Sequence, residues 1–541
     1  MLESLVLALL FAGSYAAMCG NGSPVSMPIT DVLLNNGNTM RGVWMPVGSP
    51  PQNLSWTPSM YLNDSWIFNA SDPICPTDKT SAWCTTYRGG LYDPKLSSTT
   101  HSISPDQPPV NFSIGDTQRT LGQHIWTFAL DSDDVHVNDT VLSNFPLGIP
   151  GFDYNNQYHS QGAIGLGQNS TILSALKNAG HISSRSYGYW WGLNGATSNS
   201  QMDGSLVLGG YDQAKTQGSN ITLPITPNSA SGCESGMSFP VIDLLMAFPN
   251  GTRSSIITSH GSFSSCLQID FPVMMSFQAD PYYYTFEELA QTSNIGRATG
   301  VDWWGMLYEP QNVFQGDLQL ELQGGMQLTI PNELLIVPER YIDDSGVIQA
   351  NSSAVEVLIN PTAASNTGDT PLIGRQFFSS VYLYVDFDDM TFTMWQANAS
   401  TDSNLVSPIK NCQITTPSAS PSATLVAHPS QSTNKFSVGA IAGIAIGGTA
   451  VLIGLTVVAA VLCYRRRRRK ATPQAVNVVT TDEKRHHWEM DAYPANRRFE
   501  HGGMGRCEMS GEREFSGELD SKSPAYGTTR PVYEIGPGTP R

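Results

Sequence analysis

The sequence predicts an all-β outer part joined to a single membrane-crossing segment, and three observations carry that expectation. Of 541 residues, 49 are Gly and 35 are Pro, while only 14 % are charged, which suits short strands and many turns better than long solvated helices. Stretches such as Gly204-Ser-Leu-Val-Leu-Gly-Gly-Tyr-Asp212 and Val381-Tyr-Leu-Tyr-Val-Asp-Phe387 set β-branched and aromatic residues in period-two runs between Gly, Asn and Pro turns. One long uncharged apolar run, at 437–464, stands apart from these. Helices are expected to be few and short, with candidates at 170–178 and 285–291. A hydrophobic fraction of 40 % is enough for a real core, and the length exceeds one ordinary domain.

Taken in chain order, residues 5–12 are apolar and lead into Gly13-Ser-Tyr-Ala16, small residues suited to cleavage after Ala16, so 1–16 is expected to be a secretory signal. An outer part, 17–412, follows. Residues 413–436 are rich in Ser, Thr and Pro, cannot bury a core, and are expected to form an extended, O-glycosylated stalk. The run 437–464 is long enough to cross a bilayer as a helix, in which every backbone polar group is paired internally. Five arginines, Arg465 to Arg469, and Lys470 follow at once and fix that end in the cytoplasm. The tail, 465–541, lacks apolar periodicity and is expected to be disordered. The chain is thus expected at the plasma membrane, crossing once, with its N-terminus outside. Cys463 at the inner edge is a palmitoylation candidate. Gly439, Gly443 and Gly447, spaced by four, would allow a transmembrane homodimer.

Charge, sequons and cysteines are consistent with this topology. The tail holds 15 Lys+Arg and 11 Asp+Glu, leaving 14 basic and 35 acidic residues in 1–464, a net of −21. So acidic a surface excludes nucleic acid as a partner of the outer part. Asn-x-Ser/Thr acceptors occur at Asn21, Asn53, Asn63, Asn69, Asn111, Asn138, Asn169, Asn220, Asn250, Asn351 and Asn398, all before the membrane run. Cys19, Cys75, Cys84, Cys233, Cys266 and Cys412 make an even outer set suited to three disulfides. Proximity favours Cys75–Cys84 and Cys233–Cys266, which leaves Cys19–Cys412. No cysteine shows zinc-ligand spacing, and neither a metal nor a cofactor is implied.

Several segments in order resemble the pepsin-like aspartic proteases, above all divergent membrane-anchored members of fungal type. They are Val47-Gly-Ser-Pro-Pro-Gln52, Tyr87-Arg-Gly-Gly-Leu-Tyr-Asp-Pro-Lys-Leu-Ser-Ser-Thr99, Gly162-Ala-Ile-Gly-Leu-Gly167, the Gly204 to Asp212 run, and Pro371-Leu-Ile-Gly-Arg-Gln-Phe-Phe-Ser-Ser-Val-Tyr-Leu-Tyr-Val-Asp-Phe387. The resemblance implies a bilobal β fold with a cleft between lobes of about 25–215 and 216–412. It also implies two aspartates at the cleft floor, each in an Asp-Thr/Ser-Gly turn, sharing one proton so that water can be activated against a peptide bond.

That chemistry is missing from the sequence. Counting back from Trp66-Ile67 lands on Ser59-Met60-Tyr61, with Asp64 nearby as a surface turn carboxylate. In Cys266-Leu-Gln-Ile-Asp-Phe-Pro272, either Gln268 takes the aspartate slot, which Pro272 favours, or Asp270 takes it without the following turn. The flap, Ile114-Gly115-Asp116-Thr117, has lost its tyrosine. No Gly-x-Ser-x-Gly or His-Glu-x-x-His is present to supply other hydrolytic chemistry. The expected function is a non-catalytic cell-surface glycoprotein whose cleft binds extracellular peptide or glycan through aromatics at Tyr189-Trp-Trp191, Tyr282-Tyr-Tyr284 and Trp303-Trp304. The alternatives are an acid-active membrane-anchored aspartic endopeptidase with displaced aspartates, and a structural coat element.

Overall fold

The computed structural model describes residues 22–76, 78–104, 128–150, 160–226, 232–257, 261–362 and 369–408. The expected signal, stalk, membrane run with Cys463, and tail lie outside these residues, as do Cys19, Cys412, Asn21, Asn111 and the flap residues Ile114, Gly115 and Asp116. Among the described residues no helix is long and apolar enough to cross a membrane.

Alternation writes the outer strands. In Val25–Leu33, Met27, Ile29 and Val32 are buried while Pro28, Asp31 and Leu33 are exposed. In Asp317–Leu322 the three leucines alone are buried, the period of a sheet with one face on the core. The largest sheet has nine strands, in the order Thr216–Pro224, Thr391–Ala397, Val381–Asp386, Ser186–Asn194, Gln201–Leu208, Val25–Leu33, Thr39–Trp44, Ser55–Ser59 and Gly162–Gly165. It draws strands from both ends of the chain, so first-lobe and second-lobe segments share one hydrogen-bonded ladder. A second sheet runs Gln327–Ile330, Asp317–Leu322, Ser238–Ala247, Phe263–Leu267, Leu372–Ile373, Met275–Gln278 and Ile359–Thr362, with Arg253–Ser255 paired to its third strand.

Period two fails where a strand is covered on both faces. Every residue of Val381–Asp386 is buried: the strand pairs with Ser186–Asn194 and Thr391–Ala397 in the plane of the sheet, and both of its faces are covered by other parts of the chain. The neighbouring Tyr189, Trp190 and Trp191 are buried too, with the Trp190 indole donating to the Ser379 carbonyl (3.1 Å). The expectation that these aromatics line an open cleft is therefore corrected: their strand is covered on both faces, so all three lie in the core, where a fully buried aromatic contributes roughly 2–3 kcal/mol by area alone. Tyr282 and Tyr283 are buried as well, leaving only Tyr284 of that run exposed.

Both short helices form, as Thr171–Asn178, capped by the Ser170 hydroxyl, and Tyr284–Ala290. A further helix, Ser81–Tyr87, has Thr80 as its cap. Cys75–Cys84 and Cys233–Cys266 are bonded as expected, with Cα–Cα separations of 5.9 and 5.3 Å.

Two parallel pairings organise the region between the lobes. Ser55–Ser59 runs parallel to Gly162–Gly165, with Ser59 opposite Gly165; Phe263–Leu267 runs parallel to Leu372–Ile373, with Leu267 opposite Ile373. Each pairing ends on a glycine with no room for a side chain. A Cβ on Gly165 would sit 2.5 Å from the Asp64 carbonyl, and one on Gly374 would sit 2.1 Å from the Val273 carbonyl. Neither glycine has positive φ, so only the close approach demands it. Gly165→Ala and Gly374→Ala should each destabilise the fold by roughly 1–3 kcal/mol, measured by urea denaturation; a loss below about 0.5 kcal/mol at both would remove the steric account.

Candidate functional site

The two parallel pairings bring two loop tips together. From Ser59 the chain leaves its strand, and Leu166 N–H donates to the Ser59 carbonyl (2.8 Å). It crosses under Gly165, whose N–H donates to the Ser65 hydroxyl (3.2 Å), and Trp66 N–H then donates to the Ala163 carbonyl (2.9 Å). In the second lobe Gln268 N–H donates to the Ile373 carbonyl, Phe271 N–H closes a turn back to the Gln268 carbonyl (2.9 Å), and Gly374 N–H donates to the Met274 carbonyl (2.8 Å).

These bonds decide between the two alignments left open by the sequence. Ser59 stands opposite Gly165 in one parallel ladder, and in the other Leu267 stands opposite Ile373, which sets Gln268 level with Gly374. Gln268 is thus the counterpart of Ser59, and Asp270 the counterpart of Tyr61. Asp270 stands where the turn glycine would be.

Four side chains converge there. Ser59 and Asp270 are fully buried, whereas Tyr61 and Gln268 are half-buried. The Gln268 amide donates to the Tyr61 hydroxyl (3.3 Å). The hydroxyls of Tyr61 and Ser59 act in turn on the Asp270 carboxyl. Tyr61 therefore accepts from the Gln268 tip, and its hydroxyl favours the ionised form of Asp270. Burial pushes Asp270 from 3.8 up to about 6, while Tyr61, Ser59, its own backbone N–H and the Arg375 guanidinium restrain the rise. None of those groups is a second carboxyl.

Sequence reasoning missed Tyr61 and Arg375. The only signal for Tyr61 was a bulky aromatic in the third position of a turn that calls for glycine. Arg375 directly follows Gly374 and is buried, its proton affinity lowered by desolvation and sustained by Asp302. It lies 5.4 Å from the Trp191 ring centroid, as does Arg41. Behind Asp270, the buried Tyr187 and Tyr189 phenols are held neutral by desolvation. Asp64 is fully buried, which corrects the expected surface carboxylate: the chain crossing at Gly165 covers that segment.

The sequon asparagines are distributed over the described surface. Asn138, Asn169, Asn220 and Asn250 are exposed, while Asn53, Asn63, Asn69, Asn351 and Asn398 are half-buried. In Asn69, Asn250 and Asn351 the side-chain oxygen accepts from the backbone N–H and the hydroxyl two residues on.

The mostly β architecture, the paired loops at Gly165 and Gly374, and the facing loop tips agree with the similarities found elsewhere. A family profile described as Eukaryotic aspartyl protease matches residues 44–237. Over that stretch the chain is similar to the eukaryotic aspartyl proteases. Candidapepsin-1 of Candida albicans (strain WO-1) is 23% identical over 394 residues, covering 71% of this chain and 88% of the relative. Secreted aspartic protease 7 of Candida albicans is 22% identical over 410 residues (70% and 63% covered), and Candidapepsin of Candida tropicalis 20% over 391 (70% and 84%).

The raised Asp270 proton affinity carries a stability signature. Between about pH 4 and 6 the unfolded chain has already ionised this carboxyl while the folded chain keeps it protonated, so its contribution is present below that window and is lost as pH rises through it. The total is on the order of 3 kcal/mol. Asp270→Asn should flatten the difference in folding free energy between pH 4 and pH 6.5 by roughly that amount, read from denaturant melts; parallel pH dependences for the two proteins would show that Asp270 is not the buried acid described.

Proposed function

We propose that this chain is a membrane-anchored cell-surface glycoprotein whose pepsin-like cleft binds extended peptide without cleaving it. The observation that carries this reading is the Tyr61 hydroxyl between Gln268 and Asp270. Peptide hydrolysis in this fold needs two opposed carboxyls sharing a proton, one to take a proton from water and one to protonate the scissile carbonyl. Ser59 is a neutral alcohol and Gln268 a neutral amide at any pH in which the fold survives, so neither performs those steps. What the floor presents to a ligand is the half-buried pair of Tyr61 and Gln268, suited to hydrogen bonding with a peptide backbone.

The placement rests on sequence: the signal at 1–16, the span at 437–464, and acceptor sequons confined to the segment before it. The names of the relatives, secreted aspartic proteases, agree with an extracellular outer part. A second reading, an acid-active endopeptidase, is favoured by one observation, the Asp270 carboxyl titrating near 6 in the cleft floor.

Cleavage separates the two. The full chain, purified in detergent and incubated with denatured protein at about pH 4, should show no proteolysis sensitive to a hydroxyl-bearing transition-state mimic of the pepsin type. Inhibitor-sensitive cleavage that is lost in Asp270→Asn would establish the second reading instead. On an extended-peptide array, Tyr61→Ala and Gln268→Ala should each weaken saturable binding by roughly tenfold; binding confined to glycans would replace peptide as the ligand.

A further inference from the structure

The lobes touch at a second place, remote in sequence from the cleft loops. Second-lobe strands Ile336–Ile342 and Ile348–Val357 form an antiparallel hairpin. Its tip is shaped by Asp343, whose carboxylate accepts from Ser345 N–H (3.0 Å), the Ser345 hydroxyl (2.6 Å), Val347 N–H (2.9 Å) and the Gln349 amide (3.0 Å). That ring of donors leaves three successive backbone carbonyls pointing outward, and each meets a first-lobe donor. The Thr80 hydroxyl donates to the Asp344 carbonyl (2.6 Å), the Asn38 amide to Ser345 (2.9 Å) and the Thr86 hydroxyl to Gly346 (2.7 Å).

The receiving surface is equally fixed. Thr80 caps the helix Ser81–Tyr87, Cys75–Cys84 ties that helix to the preceding loop, and the Asn36 amide donates to the Thr86 hydroxyl (3.2 Å) and the Ala82 carbonyl (3.3 Å). Gly346 has φ +81°, and a Cβ there would fall 2.5 Å from the Ala82 carbonyl and 2.6 Å from the Asn38 amide. Beside these bonds Val301 and Ile348 pack onto the buried Val32, Leu34 and Met40. Each lobe therefore brings a preorganised half, and the two halves match donor for carbonyl.

We propose that residues 343–346 are a latch that sets the angle between the lobes, and with it the width of the cleft, through contacts that acid does not break. The cross-lobe bonds join hydroxyls and an amide to carbonyls, none of which titrates. The organising Asp343 carboxylate is held down to about 2 by the Ser345 hydroxyl, Val347 N–H and Gln349. The rest of the seam is different. Below the cleft, Arg340 bonds Asn194 (2.6 Å) and pairs with Asp302, whose other oxygen accepts from Gln376 (2.7 Å). Arg41 and Arg375 flank Trp191; Arg41 faces Asp31, Asp203, Arg340 and Tyr189, while Arg375 faces Asp302, Tyr189, Arg340 and Asp270. The buried Glu356, facing Asp302, Arg340 and Glu339, has its proton affinity raised by desolvation. When Asp270, itself against Tyr61, Ser59, Tyr187, Tyr189 and Arg375, takes up its proton, the Arg375 guanidinium loses one counter-charge and the latch carries more of the attachment.

Ala196 N–H donates to the Glu333 carbonyl across the lobes (2.8 Å) and reports on the seam. In the full chain, hydrogen exchange at Ala196 should accelerate in the double variant Asn38→Ala, Thr86→Val by at least about tenfold at pH 4 relative to wild type at the same pH, and by less at pH 7, while amides of Ser186–Asn194 stay protected. Asn38→Ala alone, which removes only the bond to Ser345, should give an intermediate acceleration and guards against misfolding of the double variant. Unchanged Ala196 exchange in both variants at pH 4 would overturn the latch, as would loss of protection spread equally through Ser186–Asn194.

Discussion

The close approach of backbone to backbone at Gly165 and Gly374 is the constraint on which the rest depends. A strand can pass under another main chain only where no Cβ intervenes, and at these two places the neighbouring carbonyls stand within 2.5 and 2.1 Å of where one would be. Each crossing throws a loop tip toward the other lobe, so the identity of four side chains becomes a matter of chemistry. The two tips carry an alcohol, an amide, a phenol and one acid, in Ser59, Gln268, Tyr61 and Asp270. The phenol links the tips, and the acid sits beneath it in a desolvated site.

Much of this was legible beforehand. The ordered motifs located both crossings, Trp66 gave the count to Ser59, and spacing paired the four cysteines that the structure joins. The second tip resisted because Gln268-Ile269-Asp270 offers two candidates, and only hydrogen-bond register distinguishes them. That register depends on Leu372 and Ile373, about a hundred residues away, so no local pattern carries it. The aromatic run at Tyr189–Trp191 misled for a related reason: this strand is covered on both faces by distant parts of the chain, so its local pattern gives no sign of an open side. The helix at Ser81–Tyr87 escaped notice because seven residues with two β-branched threonines form it through the Thr80 cap, the Cys84 disulfide and docking on the second lobe rather than through propensity.

Charge is divided between surface and seam in an instructive way. Residues 1–464 are strongly acidic overall, yet three of their few arginines are drawn to one junction, where Asp31 and Asp203 answer Arg41, Asp302 answers Arg340, and Asp302 with Asp270 answers Arg375. Such a junction is sensitive to proton uptake, and the fold sets beside it a set of bonds that is not. The two kinds of contact divide the work of holding the lobes: one couples the junction to the cleft floor, the other keeps the angle.

The most direct test is a crystal structure of the outer part grown near pH 4, at a resolution that shows ordered water. It should show the Tyr61 oxygen within hydrogen-bond distance of both the Gln268 amide and the Asp270 carboxyl, with no second carboxyl reaching the same solvent site. A water held between Asp270 and another acidic side chain, with Tyr61 swung aside, would contradict the account.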